Sequence, residues 1–517
     1  MIKRKRRINL DFTSIEQNIY KNNIIFVDEY FFKDEKHSKL VKKLKKINFS
    51  ISNKNIVLYN DSVFAYINRK TDLREFSFKL LNYILDNTKF NKINLNFDYF
   101  NTNVSLNKDN KFNVFEIDNI IKILEGFYFC SYDSDQHKSN DKNKVIKSVL
   151  INIYSLIHFN NISTNQTNTY NQILEEFQFS KNLIDAQFFT RDLVNSPSNI
   201  ANPDTIESYL LQEFKYSLQN NTDNNIEITV YDENRLKEEK MEGHLSVNQG
   251  SDFKARTIKI VYTPKTGEYN KTIVFVGKGL TYDSGGLSLK PTDSMVDMKT
   301  DKAGAMTVAG IMKAIKDLNN SENRIIAYIA LAENVINSNS YKPGDILTMK
   351  NGKTVRILNT DAEGRLVLFD NLSLAESEYG EDINEIYSIA TLTGAAIAQF
   401  GEETSALVGF NNKLKKKLIK IGKEENELFI NAEFNKYMLN SVNDPIADLR
   451  NTYDNRYMGC QKAGLFLTNA LSKKIRKKYV HIDIAGPAYI NKEFSINKKG
   501  ATGETVRSLV KRIIDIF

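Results

Sequence analysis

The chain has 517 residues, 71 lysines and arginines against 63 aspartates and glutamates, and a net charge of +8. That length allows about two to four domains with a large core, and 41% hydrophobic with 26% charged residues is ordinary for a globular protein. Two cysteines, Cys130 and Cys460, exclude a disulfide framework, and the lack of any run of 18 apolar residues excludes an expected membrane span.

The opening MIKRKRRINLDF is basic but leads into no apolar stretch of signal-peptide length, so residues 3–7 read as a solvated terminus or a phosphate-binding or nuclear-localisation patch. Basic residues elsewhere are dispersed. A nucleic-acid surface is compatible with that spread but not indicated by it. The cysteine usage points to a cytoplasmic protein. Up to residue 172, short β-rich runs (NIIFVDEYFF, NIVLYNDSVFAYI, KINLNFDYF, KVIKSVLINIYSLI) alternate with polar helical stretches, which predicts an N-terminal α/β domain over 1–172. The Asn-rich segments 131–144 and 158–172 read as surface loops. Apolar residues at helical spacing predict a linker helix over 173–195, stopped at Asn195-Ser196-Pro197.

From 196 to 517 the texture changes. Near-continuous apolar runs (IEITVYD, TIKIVYT, TIVFVGKG, RIIAYIALAE, INEIYSIATLTG) alternate with helical segments such as AGAMTVAGIMKAIKDL and LFDNLSLAESEYG. This predicts a larger C-terminal domain: an α/β fold with a mixed, largely parallel sheet covered by helices on both faces. Ligands in such sheets collect at the carboxyl ends of strands.

Three charged motifs fall just after those runs. In VFVGKGLTYDSGGLSLKP (274–291), Lys278 stands between Gly277 and Gly279, which permit tight turns and close approach, and Asp283 and Lys290 follow. In MVDMKTDKAGAMTVAG (295–310), Asp301 stands at the start of a small-residue helix. In NTDAEGRL (359–366), Asp361, Glu363 and Arg365 occupy alternate positions between VRIL and LVLF, flanks that read as strand or buried segment. Burying isolated charges costs several kcal/mol unless they are paired or bound to metal. Taken singly, each motif has a plainer reading: a solvated or phosphate-contacting lysine, a helix cap, a surface acid pair. The first lacks the GxxxxGK[ST] spacing of a phosphate loop. Four carboxylates converging on one cleft would raise one another's pKa, and divalent metals are the simplest relief. None of the five histidines (37, 137, 158, 244 and 481) lies in these motifs; a neutral Lys278 is a candidate nitrogen ligand.

NTDAEGRL is identical to the signature of the leucyl aminopeptidase family, the M17 cytosol aminopeptidases. RDLVNSPSN (191–199), VGKGLTYDSGGLSLKP, the Met298-Lys299-Thr300-Asp301 block, KPGDILTMKNGKTVRILNTDAEGRL, ATLTGA (390–395), HIDIAGPA (481–488) and GATGETVRSLV (500–510) resemble its blocks in order. The resemblance covers roughly residues 190–517. It implies a dinuclear site, with Lys278, Asp283, Asp301 and Glu363 on the tighter metal. Asp283 and Glu363 would bridge to a second metal completed by Asp361. Lys290 and Arg365 match the catalytic positions. Zn or Mn is implied, with Mg compatible, and the reaction uses a hydroxide bridging the metals. Arg365, with the backbone around Leu392 and Gly394, would hold a bicarbonate as general base. Met298 and Gly394 would line the pocket for a Leu- or Met-like first residue of a peptide substrate. A homohexamer in intracellular peptide turnover is implied too. The alternative is a nucleic-acid-binding or inactive structural relative that keeps the fold. One departure stands out: Lys302 follows Asp301 where the family usually has a hydrophobic residue, and Met306 replaces a small one. Lys302 would weaken the tight metal, alter specificity, or point into a subunit contact.

Overall fold

The computed structural model describes residues 8–13, 23–27, 32–33, 38–47, 49, 55–60, 62–68, 70–88, 92–99, 117–132, 147–152, 166–220 and 226–514, less 454 and 456. The basic stretch 3–7 and the polar stretches 133–144 and 158–165 lie outside these. Among the described residues no helix is long and apolar enough to cross a membrane. The chain forms two compact units, Arg4–Ile184 and Asp185–Phe517, dividing within the helix Gln166–Asn195. That helix begins inside the segment expected to be a loop (158–172). Its Asn- and Thr-rich start only has to propagate a long helix, and propagation costs far less than nucleation. It ends as the Asn-Ser-Pro run predicts, because Pro197 has no amide to continue it.

The first unit is built on β1 (Ile8–Thr13), β2 (Asn23–Val27), β3 (Ile56–Tyr59), β4 (Ser62–Tyr66), β5 (Lys92–Tyr99) and β6 (Lys147–Asn152), in the order β1-β6-β5-β2-β4-β3. All neighbours run parallel except the β3–β4 hairpin. Ile25, Val27, Val41, Leu44, Phe49, Val57 and Phe64 form a core within it. Helices Leu73–Asn87 and Ile117–Cys130 share a buried ion pair, Arg74 Nε to Glu125 Oε2 at 2.6 Å.

The second unit contains β7 (Ile226–Tyr231), β8 (Arg256–Tyr262), β9 (Thr272–Asp283), β10 (Arg324–Asn334), β11 (Ile346–Thr348), β12 (Thr354–Arg356), β13 (Ile383–Ala390), β14 (Thr404–Val408), β15 (Leu428–Asn431), β16 (Leu449–Arg450) and β17 (Tyr479–Asp483). Eight of these form one sheet in the order β15-β14-β17-β13-β9-β10-β8-β7, and β11, β12 and β16 form a small second one. The central strands β17, β13, β9 and β10 run parallel. β9 and β10 are buried at nearly every position, as strands covered on both faces must be. Helix Ala303–Leu318 packs on β9, as does helix Gly364–Tyr379. The segment LVLF, whose four apolar residues read equally well as strand, lies in that second helix, buried from Gly364 to Ala375. The carboxyl ends of these parallel strands share one edge of the sheet: β13 and β17 stop level with each other at Ala390 and Asp483, near the level of Lys278, and β9 and β10 run on to Asp283 and Asn334.

Candidate metal centre

Gly277-Lys278-Gly279 is strand, not turn, and its glycines serve close approach. A Cβ on Gly277 would stand 2.5 Å from Ala305 Cα, and one on Gly279 2.9 Å from Ala305 Cβ, so both let helix Ala303–Leu318 close on β9. Side chains alternate along a strand, so Lys278 points to the opposite face. There Gly364 makes room, since a Cβ on it would lie 2.4 Å from Lys278 Cε. The lysine is threaded to the strand ends through a slot made by missing side chains.

Its Nζ lies 2.8 Å from Asp301 Oδ2 and 2.9 Å from Glu363 Oε1, and donates to Thr391 O at 3.1 Å. Lys290 Nζ lies 2.9 Å from Asp283 Oδ2 and is hydrogen-bonded to Asp361 Oδ1. Asp283, Asp361 and Glu363 each offer a carboxylate oxygen within 4.8 Å of the others, a grouping of metal-binding side chains found nowhere else among the described residues. Asp301 joins them through Lys278. The structure thus brings together Lys278, Asp283, Lys290, Asp301, Asp361 and Glu363.

The electrostatics follow from burial and crowding. Burial, then the charges of Glu363 and Asp301, push the Asp283 carboxyl up. Burial likewise raises Asp301 and Asp361, against the lowering pull of the lysines. Glu363 is held below the usual range despite its burial, because Lys278 and Lys290 both act on it. Burial also disfavours the Lys278 ammonium, but Asp301, Glu363 and Asp283 outweigh it and hold its pKa well above the usual value. Lys278, like Lys290, is therefore held as a cation within the cluster. A neutral amine ligand at Lys278 requires that a metal take over this charge compensation.

The residues fit a divalent metal. Glu363 Oε2 is buried without a hydrogen-bond partner, which costs free energy unless a cation meets it. Several hard carboxylate oxygens with one potential nitrogen suit Zn, Mn or Mg.

Arg365, one residue into helix Gly364–Tyr379, is 8% exposed. Its Nη1 donates to Asn451 O at 2.6 Å and Tyr453 OH at 2.7 Å, while its buried Nε has no partner among the described residues. Met298 opens the short 3-10 helix Met298–Lys302 that carries Asp301 and is half-buried. Gly394 opens helix Gly394–Phe400, and nothing lies within 4 Å of where its Cβ would stand. The Leu392 amide donates to Asp483 Oδ1 at 3.1 Å and so is already engaged. Lys302 turns away from the cluster, its Nζ donating to Ser196 O at 2.9 Å and to Lys299 O. Met306 is fully buried in helix Ala303–Leu318.

Several contributors were not singled out from sequence. Asn334 donates to Asp283 Oδ1 at 2.8 Å and Thr360 O at 3.1 Å, and it pairs with Asp283 in the β9–β10 register. Thr391 Oγ1 donates to Asp301 Oδ1 at 2.7 Å. Tyr341 OH donates to Thr360 O at 2.7 Å, and Tyr453 braces Arg365. Only the polar end of RIIAYIALAEN and the motif ATLTG carried any signal for them.

Comparison with known proteins gives the family. The model of the cytosol aminopeptidase family, catalytic domain, matches residues 188–510. A "Probable cytosol aminopeptidase" of Helicobacter hepaticus is 41% identical over 346 residues, 66% of this chain and 70% of its own length. One of Campylobacter jejuni is 36% identical over 406 residues, 76% of this chain and 78% of its own. Among solved structures, the bottromycin maturation enzyme BotP in complex with Mn has a TM-score of 0.78 at 22% identity, covering 96% of this chain and 100% of its own; that likeness concerns the fold. The chain belongs to the cytosol aminopeptidase family and is a metal-dependent aminopeptidase.

Proposed function

We propose that this member of the family carries two divalent ions, Zn or Mn, and releases Leu- or Met-like N-terminal residues from peptides. The observation that supports this most directly is the cluster of Asp283, Asp361 and Glu363 beside Lys278 and Asp301, with one glutamate oxygen left unpaired. Lys278, Asp283, Asp301 and Glu363 would hold one metal, and Asp283, Glu363 and Asp361 the other. When bound, such metals supply Lewis acidity, which acidifies a water and polarises the scissile carbonyl.

The chain's own residues do the rest. Lys290 is paired with Asp283 and Asp361; with those acids holding metal, its Nζ would be free to donate to the carbonyl oxygen as negative charge develops there. Arg365 is fixed through Nη1, which leaves its unpaired Nε–H as a donor for an anion. That anion would be bicarbonate, held by Arg365 with the backbone at Leu392 and Gly394 alongside, and would supply a general base. Open space at Gly394 and the half-buried Met298 would form the first side-chain pocket. A cytoplasmic homohexamer acting in peptide turnover, with a catalytic domain over 196–517, a linker helix over 173–195 and an N-terminal domain over 1–172, completes the proposal.

The test is hydrolysis of a leucine-amide reporter by protein stripped of metal and refilled with Mn or Zn, beside Asp361→Ala. Metal-dependent release that disappears in the variant is expected. Full turnover by folded Asp361→Ala would remove Asp361 from the site.

A further inference from the structure

Lys302 directly follows a metal-ligand candidate, and among the described residues it forms no ion pair. It is fully buried, and among the described residues its Nζ meets the carbonyl oxygens of Ser196, at 2.9 Å, and Lys299. Lys299, in the same 3-10 helix, donates to Asn195 O at 3.3 Å. Asn195 is the last residue of helix Gln166–Asn195, and the Ser196 amide still bonds back to Asp192 O at 3.2 Å. Two acceptors, Asn195 O and Ser196 O, therefore lie in that helix's C-terminal cap. Such carbonyls lack intrahelical donors and carry the negative end of the helix dipole, so ammonium groups are favoured there.

The helix end is itself fixed. Arg191 Nε donates to Thr502 O at 2.7 Å, Gln187 Nε2 to the same oxygen at 2.8 Å, and the Ala501 amide to Asn195 Oδ1 at 3.0 Å. Asp301, by contrast, lies where support changes abruptly. Residues 291–297 before its 3-10 helix are exposed or half-buried, whereas the helix after it is buried from Ala303 to Lys316. Lys299, before Asp301, and Lys302, directly after it, tie this turn to a fixed element.

We infer that Lys302, assisted by Lys299, is a positioning residue that braces Asp301 for metal against the capped end of helix Gln166–Asn195. The inference rests on the two-metal reading above. Coupling of this kind is reciprocal: a cap that favours the metal-binding geometry is itself stabilised when metal binds. Partners that orient a ligand from behind typically account for about 10–100-fold in metal affinity.

The experiment titrates metal-stripped full-length protein with Mn by calorimetry and follows amide exchange over residues 191–197 with and without Mn. Lys302→Met keeps the apolar stem and removes the donors. We expect one Mn to bind at least about tenfold more weakly in Lys302→Met. We also expect Mn to slow exchange over 191–197 in the wild type but not in the variant. Lost packing alone would lower the melting temperature without abolishing that Mn-dependent difference. Unchanged Mn affinity in the folded variant, or no Mn effect on exchange in the wild type, overturns the brace and leaves the two-metal reading standing. A wild type that binds no Mn overturns both. Should Lys302→Met not fold, Lys299→Met, half-buried and holding one longer bond, carries the same test with a smaller loss expected in the same direction.

Discussion

The acidic cleft and the helix end behind it each bury a lysine, and the two lysines live under opposite rules. Lys278 is 3% exposed and faces carboxylates, so its charge is held in spite of burial. Lys302 is 0% exposed and faces carbonyls; burial, with Lys299 nearby, pushes its amine down to about 7 against a weaker opposing pull from Asp301. Equal burial thus produces a counter-ion in one place and a hydrogen-bonding cap in the other. What differs is whether the partner carries charge. Under the two-metal reading the distinction matters, because a divalent ion would compete with the first lysine and leave the second in place.

The sharpest way to break this comparison is Lys278→Met. It leaves Asp301 and Glu363 buried without their shared cation, and removing one partner of a buried pair costs about 3–5 kcal/mol. Urea denaturation of stripped protein should show that loss, and Mn should restore part of it. Lys302→Met leaves two carbonyls without a donor, at about 1–3 kcal/mol each, but also relieves a buried charge. Its net effect should be clearly smaller, and equal losses would refute the distinction. Next in size is Tyr453→Phe. Arg365 would lose the hydroxyl at 2.7 Å while keeping Asn451 O. A bond to a charged group contributes about 1.5 kcal/mol or more, so kcat should fall about tenfold. An unchanged kcat would mean that the phenol does not set the guanidinium.

Much of this was open to a reader of the sequence, for identifiable reasons. Strands buried on both faces show as apolar runs, which is why TIVFVGKG and RIIAYIALAE declare β9 and β10. The acids of NTDAEGRL stand out because charge between buried flanks demands compensation. Other features depend on tertiary partners. The Gly277-Lys278-Gly279 run suggests a turn, since nothing local says that a helix must close on those glycines. LVLF reads as strand or buried segment alike, because a helix buried all round loses its 3.6-residue period. Asn334 acquires its role only through its register with Asp283, and Tyr453 through a loop that returns to Arg365. Lys302 is visible as a cation beside a ligand, but its direction is set by a helix end more than a hundred residues earlier in the chain.

The smallest effect extends the comparison to buried bases that, like Lys302, have only neutral hydrogen-bonding partners. His244 Nε2 meets Leu331 O at 3.0 Å and its Nδ1 meets Asn371 Nδ2 at 3.3 Å; His481 Nδ1 meets Ser388 Oγ at 2.8 Å. Burial pushes His244 down to about 4 and His481 to about 3. Both folded values lie below the unfolded histidine value of about 6.5, so the unfolded chain takes up these protons first. Their contribution to stability is therefore complete above that pH and is lost as pH falls toward the folded values. Carboxylates titrate in the same range, so the informative quantity is the difference between wild type and His244→Gln. From pH 6.5 to 5.5 the wild type should lose about 1 kcal/mol more than the variant in urea denaturation. Parallel curves would mean that His244 is charged in the folded protein, and a buried base facing only neutral partners would then keep its proton after all.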